Sequence, residues 1–172
     1  TEQPSGQAAL IKRFPSDSAD MLARVGVATV PPPVDRNTAL VVPRYRHTMT
    51  VLSTGTLLFG GLSQADAAAK KPVAEVYAPE RNLFQALTFA GMEPISRRGH
   101  VAAKLKSGLA LIIGGYNEDG SGQKTVLGST LSIDLGARTA TQTDGVLKTP
   151  RWGASLHESV GELVICGGYD KD

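Results

Sequence analysis

His47, His100 and His157 are the residues of this chain best suited to hold a metal or relay a proton, and Cys166 is its only thiol. A transition-metal site needs three or four ligating groups that converge. His47 and His100 stand 53 residues apart at the same point of a repeated pattern, so each is expected to order its own strand. His157 sits at a different register, with no second ligand at metal spacing. Asn117, Asp119 and Ser121 alternate through "NEDGSG" like the first ligands of a calcium loop. Gly128 holds the place of the closing bidentate glutamate, which excludes an EF-hand and leaves an ordinary hairpin loop, loose calcium binding being the weaker alternative. No P-loop, dinucleotide fingerprint or nucleophile elbow occurs, because the glycines end apolar runs instead of opening helices.

The chain that must position these groups has 172 residues, enough for one domain that buries roughly 70% of its unfolded surface. A hydrophobic share of 41%, a charged share of 20% and a net charge of +2 describe an ordinary globular composition. That charge gives no field for nucleic acid, and the basic pairs Lys70-Lys71 and Arg97-Arg98 read as solvated surface. A single cysteine rules out an intrachain disulfide. No apolar run nears the ~20 residues of a membrane span, and "TEQPSGQAAL" has no signal-peptide pattern. Thr1 in place of methionine suggests an upstream segment that has been removed and, with the threonine-rich polar surface, an extracytoplasmic or secreted location.

Three segments align on paired glycines: "PRYRHTMTVLSTGTLLFGG" at 43–61, "SRRGHVAAKLKSGLALIIGG" at 96–115 and "PRWGASLHESVGELVICGG" at 150–168. Arg44, Arg98 and Arg151 each precede the first glycine of a pair by 16 residues, and the pairs recur after 54 and 53 residues. "HTMTVL", "HVAAKL" and "GASLHE" predict short strands, and a tight turn then leads into "TLLFGG", "LALIIGG" and "ELVICGG", continuous apolar strands of the kind buried on both faces. Third strands are predicted at "VAEVYAPE" and "STLSIDLG", fourth strands at "NLFQAL" and "RTATQTD". Paired glycines suit places where another backbone or a ring comes close, or where φ turns positive.

From residue 43 onward the units resemble kelch repeats. Arg44 with His47 and Arg98 with His100 match the family's start, the glycine pairs match its double glycine, and Tyr77 matches its strand aromatic. Ile133 replaces that tyrosine in the second unit, Phe84 and Thr139 stand near the tryptophan position, and Gly153-Ala154 replaces the histidine in the third. The resemblance implies an all-β fold of kelch-type β-propeller blades, each of four antiparallel strands, with an aromatic from a neighbouring strand filling the space beside the glycines. Blades are expected at 43–95 and 96–149, and the first hairpin of another at 150–172. Residues 1–42 are expected to hold outer strands of a neighbouring or closing blade ("QAALIKRF", "ARVGVATV", or a short helix at "SADMLARV") and a proline-rich connection at 31–33.

So few blades close no ring, and remaining blades are expected from a longer parent chain, a second copy or an assembly partner. Copper radical oxidases use this propeller type with a cysteine–tyrosine cross-link, but Cys166, near Tyr169, is expected to act as a small apolar residue of a buried strand. No cofactor is implied. The resemblance points to one face, carrying the second-to-third-strand loops at Gln64–Lys71 and Tyr116–Leu127 and the inter-blade residues, as a binding surface for a protein or glycan. The candidate contacts are Tyr45, Arg46, Arg97, Tyr116, Asn117, Asp119 and Trp152; for Trp152 and Arg46 the competing role is packing between blades. The expected function is a non-enzymatic binding or scaffold module, with a fragment of a carbohydrate oxidase or sugar isomerase as the alternative.

Overall fold

The computed structural model describes residues 39–61, 72–91, 94–119 and 121–171; the expectations for the first 38 residues and for Gln64–Lys71 lie outside them. Among the described residues run β1 (Thr48–Leu52), β2 (Gly55–Phe59), β3 (Ala74–Ala78), β4 (Leu83–Leu87), β5 (Val101–Lys104), β6 (Ala110–Ile113), β7 (Tyr116–Glu118), β8 (Lys124–Val126), β9 (Thr130–Asp134), β10 (Thr139–Thr143), β11 (Ser155–Ser159) and β12 (Glu162–Cys166). They include no helix, and therefore none long and apolar enough to cross a membrane. Every strand pair is antiparallel.

The first sheet is a β1-β2-β3-β4 meander, the second has the order β5-β6-β9-β10, and β11-β12 forms a two-stranded third unit. The described residues are thus all-β, built on four-stranded antiparallel sheets. The connection between β6 and β9 holds a further hairpin, β7-β8, with Tyr116 opposite Val126. Its short polar strands lack the apolar run that marks β2, β6 and β12.

The apolar strands β2 and β6 are second in their sheets, paired on both edges and covered on both faces. Leu57, Leu58, Phe59, Ala110 and Ile112 are each 0% exposed. Leu57, Phe59, Ala74 and Leu87 of the first sheet share one core with Ala110, Ile112, Leu131 and Ile133 of the second. Burying a large aliphatic or aromatic side chain of this kind stabilises by about 1.5–3 kcal/mol. β12 departs from the sequence expectation: Val164 is 41% exposed and Cys166 is exposed. Among the described residues β12 pairs with β11 alone, so an apolar sequence has neither a third strand nor a further sheet to bury it.

Strand register corrects the sequence alignment at one point. Thr48, Val101 and Ser155 pair with Phe59, Ile113 and Cys166, the residues just before the glycine pairs. Counting back four residues from each gives Arg44, Arg97 and Arg151, so Arg97 and not Arg98 is the counterpart in the second unit. The extra residue is absorbed in a wider β5-β6 turn, closed by Leu105 N–H donating to the Leu109 carbonyl at 2.8 Å.

The units sit side by side through their first strands, with β5 next to both β1 and β11. The glycine pairs make this approach possible. A Cβ on Gly60 would overlap the Arg97 carbonyl oxygen and come within 2.7 Å of His100 Cε1, and one on Gly114 would lie 2.5 Å from the Arg151 carbonyl oxygen. The space beside the first glycine is therefore taken chiefly by the backbone of the following unit, joined by the His100 ring beside Gly60 and by Leu147 beside Gly114. Gly61 N–H donates to the Arg97 carbonyl at 2.9 Å and Gly115 N–H to the Arg151 carbonyl at 2.8 Å. A second line runs from Gly99 N–H to the Arg46 carbonyl (3.1 Å) and from Gly153 N–H to the Gly99 carbonyl (2.7 Å).

Candidate functional site

The repeated arginine braces each unit. Arg44 donates through NH1 to the Gly60 carbonyl (2.7 Å) and the Val73 carbonyl (3.0 Å), joining the end of β2 to the start of β3. Arg97 does the same for β6 and β9 through the carbonyls of Gly114 (3.2 Å) and Ser129 (3.1 Å). Arg151 reaches the Gly167 carbonyl at 2.6 Å.

The environments of Arg44 and Arg97 then diverge. Glu75, fully buried on β3, lies 2.5 Å from Arg44 NH2 and accepts the Val41 and Val42 N–H groups at 2.8 and 3.1 Å. A buried charge is tolerable when paired and saturated with hydrogen bonds in this way. The corresponding position in the second unit, set by pairing with Ile112 where Glu75 pairs with Leu58, is Leu131. Arg97 is 1% exposed, and its Nε has no hydrogen-bond partner. Burial lowers its pKa to about 10, which leaves it cationic at neutral pH. The reading of Arg97-Arg98 as solvated surface is therefore overturned, since Arg98 is also only 5% exposed.

Residues following the brace form a second cluster. Arg98 lies over the Tyr45 ring (4.2 Å to its centroid) and pairs with Glu118 at 2.8 Å. Arg46 donates to the Tyr116 hydroxyl at 3.0 Å and lies 5.3 Å from the centre of the Trp152 ring. Tyr116 meets Trp152 edge-on at 5.3 Å, and Tyr169 lies against Trp152 at 5.0 Å. Lys124 sits 5.6 and 5.9 Å from the Tyr116 and Trp152 rings. The structure thus joins Arg46, Tyr116 and Trp152, candidates from the first, second and third units. Tyr45 is 53% exposed, whereas Tyr116 is 1% exposed and contributes its hydroxyl and ring edge.

Asn117 and Asp119 lie on the β7-β8 hairpin. Asn117 lines a cleft of about 520 Å³ that also reaches Arg97, Ser129 and Asp144. One oxygen of Asp119 accepts Ser121 N–H (2.9 Å), Ser121 O–H (2.6 Å) and Gln123 N–H (2.9 Å). These bonds close the hairpin turn, and with the Ser121 hydroxyl foremost they hold the carboxyl below its usual pKa.

His100 corrects the expectation that it orders its own strand, because its Nε2 contacts the Thr48 hydroxyl of β1 at 2.8 Å and its ring meets Phe59 edge-on. Burial, then the charges of Arg97 and His47, push its pKa down to about 3. His47 is lowered by burial and by Arg44.

Glu75, Glu118 and Lys124 escaped the sequence reading. Glu75 alone left a signal, a lone acid inside an otherwise apolar strand, "VAEVYA". Glu118 and Lys124 acquire their places only when the β7-β8 hairpin folds back. The chain matches no protein-family model, and no curated relative matches its sequence.

Proposed function

We propose that these units are kelch-type blades of a β-propeller and that the chain is a non-enzymatic binding module. It engages a protein or glycan through the face carrying Arg46, Trp152, Tyr45 and the β7-β8 hairpin. The observation that carries this reading is the backbone of Arg46. Its φ of 57° is left-handed, and Gly99 and Gly153 take φ values of 60° and 64° at the same position of the other units. A non-glycine residue costs about 1 kcal/mol or more there, so its side chain has a use that glycine cannot supply. Arg46 is exposed and sits against an aromatic pair, a combination frequent among the anchors of binding interfaces.

The test is binding of the purified chain to a glycan array and to a displayed peptide library, beside the Arg46→Gly variant. Glycine relieves the backbone strain, so the variant stays folded and lost capture reports the guanidinium. A ligand class retained by the native chain and released by Arg46→Gly supports the proposal. No capture on either surface, or equal capture by both proteins, overturns it.

A further inference from the structure

We propose that the cleft over Arg97 binds a small carboxylate, a simple acid or a sugar acid, in the role that Glu75 plays beside Arg44. This site is separate from the Arg46 and Trp152 cluster and does not depend on the propeller reading. Arg44 and Arg97 hold the same position in their units and differ in their partners. Arg44 spends NH1 on two carbonyls, Nε on the Val42 carbonyl (3.4 Å), and NH2 on the Pro72 carbonyl (3.0 Å) and Glu75. Arg97 reproduces the two NH1 bonds, but its NH2 makes only a 3.3 Å contact with the Ser129 hydroxyl and its Nε bonds nothing. Its counter-carboxylate has been replaced by Leu131, and among the described residues no acid lies within ion-pair distance. Asp144 on the cleft wall acts on Arg97 from beyond ion-pair distance, and a buried guanidinium without a contacting counter-ion is costly, so an anion that reaches it gains what Glu75 gains in the first unit.

The cleft that reaches Arg97 has about 520 Å³, within the range of small-molecule sites. Asn117 and Lys148 on its walls add donors and positive charge. Asp144, also on the wall, engages the Gln142 amide at 2.7 Å. That acid disfavours a dianion such as phosphate. A planar monoanion fits better, because two adjacent guanidinium donors match the two oxygens of a carboxylate.

The experiment follows the arginine Nε–H signals of the ¹⁵N-labelled 172-residue chain by NMR. Sodium acetate and galacturonate are titrated at constant ionic strength, with chloride and phosphate as controls. A saturable shift of the Arg97 Nε–H signal by a carboxylate, absent with chloride, is expected. Acetate alone sufficing identifies a simple acid, and a response only to galacturonate identifies a sugar acid. Asp144→Asn is expected to tighten binding about fivefold by removing a like charge from the rim. Leu131→Glu supplies the missing acid within the chain and is expected to abolish the response; if this variant does not fold, the native titration alone decides. An unmoved Arg97 signal, or a response equal to that with chloride, overturns the proposal.

Discussion

The Arg97 carbonyl oxygen occupies the space that a side chain on Gly60 would need, so the end of one unit's apolar strand and the opening of the next are fitted backbone to backbone. Gly167, with φ of 69° against 73° at Gly60, meets nothing within 4 Å. Gly60→Ala is expected to cost about 3 kcal/mol or more, combining left-handed strain with overpacking. Gly167→Ala is expected to cost only the strain, about 1 kcal/mol. Urea denaturation of both variants checks this, and equal losses would refute the inter-unit role of the glycine pair.

Glu75 and Arg44 form a buried, fully bonded pair, so removing one partner strands the other. Glu75→Leu or Arg44→Met alone is expected to destabilise by about 3–5 kcal/mol, whereas the two together recover much of the loss. A double-mutant cycle by thermal denaturation measures the coupling. Simple additivity of the two single changes would contradict it.

His100 carries the pH prediction. Its native pKa of about 3 lies below the ordinary value of 6.5, so the folded state keeps the imidazole neutral. The stability this gives is complete above pH 6.5 and is lost as pH falls toward 3, because the unfolded chain takes up the proton first. In that window the unfolding constant is expected to rise about tenfold per pH unit from this residue, with His47 adding in the same direction. His100→Gln is expected to flatten the acid limb while lowering stability at neutral pH. An unchanged slope would refute the assignment.

Arg46→Gly is expected to leave stability within about 1 kcal/mol of the native chain. Relief of left-handed strain offsets the lost bond to the Tyr116 hydroxyl and the contact with the Trp152 ring. A loss of several kcal/mol on chemical denaturation would make Arg46 a packing residue and remove the main support for a ligand-facing role.

Cys166 is exposed on β12 and is expected to react stoichiometrically with a thiol reagent in the native chain. If further units complete the assembly, the same thiol is expected to be protected, because its counterparts Phe59 and Ile113 are 0% and 5% exposed where a neighbouring unit covers them. Labelling followed by intact mass distinguishes the two states.

The sequence by itself determined the strands of the repeated sheets and their grouping, but not the β7-β8 hairpin between them. Apolar runs such as "TLLF" and "ALII", stopped by paired glycines at a constant period, admit few solutions other than hairpins that open repeated sheets, since strand burial is a local property of pattern. Tertiary structure decided which arginine belongs to the pattern. Arg97 and Arg98 are adjacent and chemically identical, and only the wider β5-β6 turn sets the register that buries one as a brace and lays the other over Tyr45. It also decided that no residue of "ELVIC" is fully buried despite its apolar sequence, because burial depends on a neighbouring strand and sheet that no stretch of residues supplies for itself. The divergence of Arg44 and Arg97 was hidden for the same reason: a counter-charge is a relation between positions some thirty residues apart, and only the folded sheet places Glu75 beside Arg44 and puts Leu131 at the equivalent position of the second sheet.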